Sequence, residues 1–424
     1  MSPGAPAQPR LLLIATPNSY RTAAYLAAAH SLAIDVLIAS EGRHSLVSEI
    51  AAGLHIDLTD PAAVEVLRAA GRQRPISGVV ATDDDTVELA SRIAAHLGLP
   101  HNPPAAAQRT RRKDLARSAL SKAGASVPEF RLLDLGRPLA SQLSGVVYPA
   151  VVKPLALSGS RGVIRANNEP EVLAACARVS GILQHERFDV FASTHVLLES
   201  FVSGPEVALE GLLRAGDLHV LALFDKPDPL DGPYFEETYY ITPSRHGPDT
   251  QCAVIDCVQQ ALAGLGLREG PVHAEVRIGP AGPVIMEVAS RTIGGECARL
   301  LVTGTGHTLE QQVIAHAIGR PLDADPLKDA AGVLMIPIPR AGILRRIEGI
   351  PAARAVPGIE DVSIAVRDGY ELVPLPEGAS YLGFIFARAA TPAEAEVALR
   401  VAHDCLDIVV APLFNVDDRR GMLE

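Results

Sequence analysis

Three groups of residues in this 424-residue chain have the types and spacings that chemistry needs. The first is Tyr148 to Val163, YPAVVKPLALSGSRGV, where an apolar run ends on Lys153 and gives way to a small, polar loop. Ser158, Gly159, Ser160 and Gly162 can turn backbone N–H groups toward an anion. Lys153 and Arg161 supply positive charge on either side. The loop is neither a G-x-x-x-x-G-K-[ST] phosphate loop nor a G-x-G-x-x-G dinucleotide turn. Read alone, it is equally a surface loop between two strands.

The second group is HAEVRIGPAGPVIMEVASR, which places Glu275 and Glu287 on strands joined by a tight turn. If the strands pair, both carboxylates face one side. With no lysine near them in the sequence, they suit a hard cation such as Mg²⁺, with phosphate oxygens as further ligands. Arg291, four residues on, can reach a phosphoryl group. Two solvated carboxylates would be the plain alternative, but IMEVAS sets Glu287 in an apolar run, where a lone carboxylate is costly. The third group is LLESFVSGPEVALEG. Glu199 and Glu206 flank Phe201-Val202, so a strand crossing into a hinge could offer backbone to an adenine edge and a carboxylate to ribose. An edge strand with polar ends has the same pattern.

Other candidates favour plain roles. His101, His246, His273 and His307 are isolated, and Ser203-Gly204 lacks the G-x-S-x-G elbow. The aspartates of ATDDD, Ala81 to Asp85, stand at a strand end before a helix, where capping is the expected duty. Cys297 reads as a small buried hydrophobe.

The elements that must position these groups are legible. LLLIAT, IDVLIAS (Ile34 to Ser40) and ISGVVAT (Ile76 to Thr82) alternate with helices over Tyr20 to His30, Pro61 to Ala70 and Thr86 to Leu97. This predicts a parallel sheet covered on both faces and ending near Leu99-Pro100. QRTRRKDLARSALSKAGASVPEF reads as one helix closed by Gly124 and Pro128. Helices over Glu169 to Ser180 and CAVIDCVQQALAGLG, and hairpins turning at 215–217 and 280–282, follow. Beyond about Pro321 the chain is strand-rich and closes on the helix TPAEAEVALRVAHDCL.

Net charge is −11 and Trp is absent, which speaks against a nucleic-acid surface. No apolar run approaches a membrane span. The five scattered cysteines fit a reducing cytoplasm. Residues 1–10 read as a flexible leader.

The order of the three groups resembles that of the ATP-grasp superfamily over roughly Leu11 to Arg320. GPYFEETYYITPS, EVASRTIGGE and the tail ending ASYLGFIFARAATPAEAEVAL look most like its L-amino-acid ligase branch. The resemblance implies an α/β and α+β protein. A pre-ATP-grasp domain would span 11–100, an ATP-grasp domain 101–325 with its central lobe at about 115–200, and a strand-rich domain 326–424.

It also implies residue roles. Lys153 and Lys113 would meet the ATP phosphates under a lid of Ser158, Gly159, Ser160 and Gly162. Glu199, Phe201 and Val202 would form the adenine hinge, Glu206 the ribose carboxylate, and Lys226 a further lysine near the phosphates. Glu275 and Glu287 would bind Mg²⁺ or Mn²⁺, and Arg291 the γ-phosphate. Glu237 and Tyr240 would approach the substrate, with Tyr240 where the branch often has His. Gly294 and Gly295 would leave the substrate wall open. In E-x-N-x-R terms the asparagine position is Ala289.

The expected activity is amide formation between a small carboxylic acid and an amine or amino acid through an acyl phosphate, without nucleic-acid or membrane partners. A homodimer stays open. The rivals are a biotin-carboxylase-like or purine-pathway reaction, and a nucleotide-binding module without catalysis.

Overall fold

The computed structural model describes residues 8–41, 52–320, 322, 329–378 and 380–413. The leader through residue 7, the 325/326 boundary and the last eleven residues lie outside them. Arg10 belongs to the first strand rather than to the leader, because its backbone pairs with Asp35.

Strands β1 (Arg10–Ile14), β2 (Asp35–Ser40), β3 (Ala52–His55) and β4 (Gly78–Ala81) form a parallel sheet in the order β3-β2-β1-β4. The alternation of apolar runs with helices predicted this sheet. Leu11, Leu12, Leu13 and Ile14 are all buried because helices and a second domain cover opposite faces. β5 (Phe130–Asp134), β6 (Ala150–Pro154), β7 (Ile164–Ala166) and β8 (His195–Ser200) make an antiparallel lobe in the order β5-β8-β6-β7.

β9 (Glu206–Arg214), β10 (Asp217–Lys226), β11 (Tyr239–Thr242), β12 (Gly270–Gly279) and β13 (Gly282–Ala289) follow. The tail adds β14 (Ala330–Ile336), β15 (Gly342–Glu348), β16 (Ile359–Ile364), β17 (Glu371–Leu372), β18 (Gly383–Ala389) and β19 (Asp407–Ala411). One eight-stranded sheet, β13-β12-β9-β10-β11-β14-β18-β16, runs through both regions, and β17-β15-β19 form a separate small sheet. The ladder β11–β14 is what joins the tail to the preceding strands, through Tyr239↔Leu334 to Thr242↔Ala331.

The helices obey local signals. Pro248–Leu265 opens on proline and stops at Gly266, whose φ of +79° is the left-handed geometry glycine adopts freely. Pro392–Asp404 starts with a Thr391/Glu394 capping box. One expectation fails. The helix expected through QRTRRKDLARSALSK is two helices, Pro104–Arg111 and Lys113–Lys122. Arg112 is extended at φ −125°, ψ 106°, and the Lys113 N–H leaves the helix to donate to Leu155 O at 2.9 Å. The break delivers Lys113 to the loop after β6. A single core packs Leu11, Leu13 and Ile38 of the first sheet against Phe224, Ile293 and Met335, so the domains share a wall rather than merely touching.

Candidate active site

β12 and β13 pair with Glu275 directly opposite Glu287, so the two carboxylates rise from one face of the hairpin. They border a cavity of about 620 Å³ between the central lobe, the large sheet and the N-terminal domain. Of the residues to which the resemblance gives a role, all line it except Gly162 and Lys226.

The electrostatic centre is Lys226. Its ammonium is buried and lies 2.8 Å from Glu206, 2.6 Å from Glu237 and 3.0 Å from Glu275. Burial works against its charge, but the three carboxylates outweigh it and hold the pKa well above the usual lysine value. Lys226 therefore sits beneath the cavity, bracing carboxylates, rather than facing it as expected. The idea that Glu275 and Glu287 lack lysines also falls, since Lys113 Nζ is 3.4 Å from Glu287. Lys226 is distant in sequence and reaches Glu275 only because β10 and β12 flank β9.

Glu237 is pushed up to about 7, first by burial and then by the neighbouring Glu275 carboxylate, against the pull of Lys226. Tyr240 donates its hydroxyl to Glu237 at 2.7 Å. His273, read as an isolated histidine, lies 3.3 Å from buried Glu210 and 3.7 Å from Glu275. Glu210 also accepts the Ile293 N–H at 3.1 Å, tying this row to the loop that carries Gly294 and Gly295. Alternation along β9 and β12 placed Glu210 and His273 inward, but no local motif marked them.

The Glu199 side chain has a duty of its own beside Phe201 and Val202. It is 1% exposed, and its carboxylate takes Lys153 Nζ at 2.7 Å and the Arg117 guanidinium. Burial would raise its pKa; the two cations outweigh burial and hold it at about 2. Glu199 thus orients Lys153, and Arg117, missed in the sequence, locks Glu199 while donating to Met286 O at 2.6 Å. Glu206 likewise has both oxygens engaged, by Lys226 and by Arg277 Nε at 2.8 Å.

Next to these charges is an apolar slot. Val151, Leu230 and Phe235 cluster with Val163 and Phe201, and the two phenyl rings lie 6.4 Å apart. Val202 O accepts from Arg277 Nη1 at 2.7 Å, whereas the Val202 N–H has no partner among the described residues. A flat heteroaromatic ring has a place to stack and a donor to meet there.

The Gly/Ser loop contains three residues with positive φ, Gly159, Ser160 and Gly162. The N–H groups of Gly159 and Ser160 have no partner among the described residues. Gly162 does not face the cavity, because its N–H donates to Pro376 O at 2.9 Å in the tail. Arg161 also turns away, to Glu186 at 2.6 Å and Glu377 O at 2.7 Å. Arg178 holds the Glu377 carboxylate through two nitrogens, one at 2.9 Å. The loop is therefore latched to the C-terminal region.

Arg291 donates from Nε and Nη2 to Asp84 Oδ2 at 3.1 and 2.9 Å. Its partner belongs to the ATDDD segment, where the other aspartates also find arginines: Asp83 with Arg21 at 2.8 Å and Asp85 with Arg111 at 2.7 Å. Capping is a part of the story, since the Asp83 N–H donates to Thr86 Oγ1 at 3.3 Å. The wall expected to be open at Gly295 is filled: a Cβ there would lie 2.2 Å from Met335 Sδ. At Gly294 it would meet Arg21 and Tyr20 at 3.5 and 3.6 Å.

Glu275 and Glu287 share a face, and single oxygens of Glu206, Glu237 and Glu275 lie within 4.8 Å of one another. The Glu275–Glu287 pair offers the hard oxygen donors that Mg²⁺ or Mn²⁺ takes, whereas the Glu206–Glu237–Glu275 oxygens are already bridged by the Lys226 ammonium.

This arrangement has known counterparts. A model of the ATP-grasp domain matches residues 146–299, one of the ATP-grasp N-terminal domain matches 26–101, and one of the L-amino acid ligase C-terminal domain 2 matches 334–411. The chain thus carries regions similar to the ATP-grasp N-terminal and ATP-grasp domains. Its tail is similar to C-terminal domain 2 of the L-amino acid ligases. It is similar to an uncharacterized protein of Sinorhizobium fredii, 26% identical over 82% of this chain and 71% of that one. Dapdiamide A synthase of Enterobacter agglomerans is 26% identical over 61% of this chain, which spans 60% of that protein's length. The crystal structure of L-amino acid ligase from Bacillus licheniformis superposes with a TM-score of 0.82 at 26% identity, covering 96% of this chain and 100% of that one. Among the described residues no helix is long and apolar enough to cross a membrane.

Proposed function

We propose that the chain is an ATP-dependent carboxylate–amine ligase that makes an amide bond to an amino acid. A substrate carboxylate oxygen attacks the γ-phosphorus of ATP, the bond to the β-phosphate oxygen breaks, and ADP leaves. An amine nitrogen then attacks the acyl carbon, loses a proton, and expels phosphate. A free carboxylate has a poor leaving group, and phosphorylation supplies a good one. The observation that carries this reading is the convergence of Lys153, Lys113, Arg291 and the Glu275–Glu287 pair on one cavity beside an apolar slot.

Protein groups position and neutralise the reactants. The base enters the slot against Phe201 and Phe235, with the Val202 N–H on its edge. Lys153, held by Glu199, and Lys113 meet phosphate oxygens, and the Gly159 and Ser160 N–H groups cover them. Glu275 and Glu287 would hold Mg²⁺, which when bound neutralises charge on the β- and γ-phosphates. Arg291 offers its remaining guanidinium N–H groups to the phosphoryl group. Glu237 is placed to take the proton of the attacking amine, with Tyr240 fixing its second oxygen. The closed loop keeps water from the acyl phosphate. A division at about residues 100 and 325, and a cytoplasmic setting suited to free cysteines, belong to the same reading.

ADP release against a matrix of amino acids and small acids, with products weighed by mass spectrometry, tests the proposal. Lys153→Ala and Glu287→Ala should abolish amine-dependent turnover. ATP binding without turnover across the matrix would mean a nucleotide-binding module, and bicarbonate-dependent ADP release would mean a carboxylase-like reaction. Tyr240→His should alter which amino acids are accepted.

A further inference from the structure

A second cavity, of about 300 Å³, lies away from the first, between the helix Val87–Leu97, the helix Leu309–Ala317 and the end of β9. Its apolar wall is built from small side chains, Val87, Ala90, Ala94, Val313 and Ala317. Small residues on two facing helices leave a hollow where larger ones would interlock, and an empty hollow forfeits dispersion contacts along its whole lining.

The polar side is not self-satisfied. The Arg214 side chain, exposed at the end of β9, has no hydrogen-bond or ion-pair partner among the described residues, although most of the chain's arginines are paired. Ser91 is 8% exposed, lines the cavity, and its hydroxyl likewise has no partner among the described residues. The remaining polar groups are occupied: Glu269 accepts the Ala215 N–H at 2.9 Å and lies 3.7 Å from His316, Asn102 bonds to the backbone of 268–269, and His101 Nδ1 meets Leu99 O at 2.8 Å. One exposed cation and one hydroxyl that opens on the cavity thus border an aliphatic hollow.

We propose that this cavity is a second ligand site for a small aliphatic carboxylate, with the acid group on Arg214 and the hydrocarbon against Ala90, Ala94 and Val313. A carboxylate accepts a charge-assisted fork from a guanidinium, and a short branched chain fills a hollow of this size. The site is coupled by the backbone to the first cavity. Ser290 lines it beside Arg291, and Ala81 and Val87 bracket Asp84.

The test is isothermal titration of 4-methylpentanoate into the full-length chain, repeated with Arg214→Gln, Ser91→Val and Glu287→Ala, each checked for fold by circular dichroism. Saturable binding is expected in the wild type. Arg214→Gln should weaken it about tenfold or more, the loss of one charged hydrogen bond, and Glu287→Ala should leave it unchanged. Absence of saturable binding in the wild type would overturn the proposal. So would binding that survives Arg214→Gln and Ser91→Val but is lost in Glu287→Ala, because the acid would then occupy the first cavity. The outcome does not depend on whether the chain is a ligase.

Discussion

Asp84, in the N-terminal domain, holds Arg291 through two nitrogens on one carboxylate oxygen, at 3.1 and 2.9 Å. The guanidinium also donates from Nη1 to Thr292 O at 3.0 Å. Burial would raise the Asp84 carboxyl, but the Arg291 charge outweighs it and keeps the group ionised below the usual range. Asp84→Asn keeps the shape and removes the charge. Turnover should fall about tenfold, as one charged hydrogen bond is weakened, with the KM for ATP little changed, and Asp84→Glu should recover part of the loss. Steady-state ADP release measures the split.

Lys226 is enclosed by three carboxylates. Lys226→Met should destabilise the chain by about 3–5 kcal/mol, because it leaves buried carboxylates without their counter-charge. Urea unfolding at neutral pH reads this directly.

Glu237 titrates at about 7 in the fold, against a reference of 4.5. Between those values the native state binds a proton that the unfolded chain does not, so this group's contribution falls as pH rises. It is fully present below about 4.5 and gone above about 7. In metal-free, nucleotide-free protein, the stability curve of Glu237→Gln should lack this downward component when compared with wild type between pH 5 and 8.

The Glu377 carboxylate ties the helix Glu169–Leu183 to the tail through Arg178, and so holds the 376–377 backbone that accepts from Gly162 and Arg161 of the Gly/Ser loop. Glu377→Ala should release the loop, visible as faster limited proteolysis near Ser158 to Gly162 and a raised KM for ATP, with global unfolding little affected.

Met335 occupies the space beside Gly295. Met335→Ala should enlarge the cavity, cost about 2–4 kcal/mol, and extend the substrate matrix toward bulkier acids or amines. An unchanged product spectrum would separate Met335 from the substrate wall.

Much of this was legible in the sequence because its signals are local. Proline and glycine punctuate the helices, period-two alternation marks β12 and β13, and their short turn forces Glu275 opposite Glu287. The errors came from contacts between distant segments. RTRRKD contains no helix breaker, so only the pull of Leu155 O and Leu157 O on Lys113 explains the break at Arg112. The ion pairs that fix Glu199 were hidden because Arg117 is remote in sequence. The capping duty of ATDDD was legible and Asp83 performs it, but the arginine partners of its aspartates, scattered from Arg21 to Arg291, were not.

The β11–β14 ladder has a consequence for recombining such chains. β11 carries Tyr240, which sits against Glu237, and its far edge is completed by the tail. A chimera that grafts a foreign tail after residue 325 would therefore disturb the seam on which Tyr240 rests, even though every other residue of the pocket came from one parent. Exchanges cut before Tyr239 and carrying β11 along with its neighbour would move that seam intact.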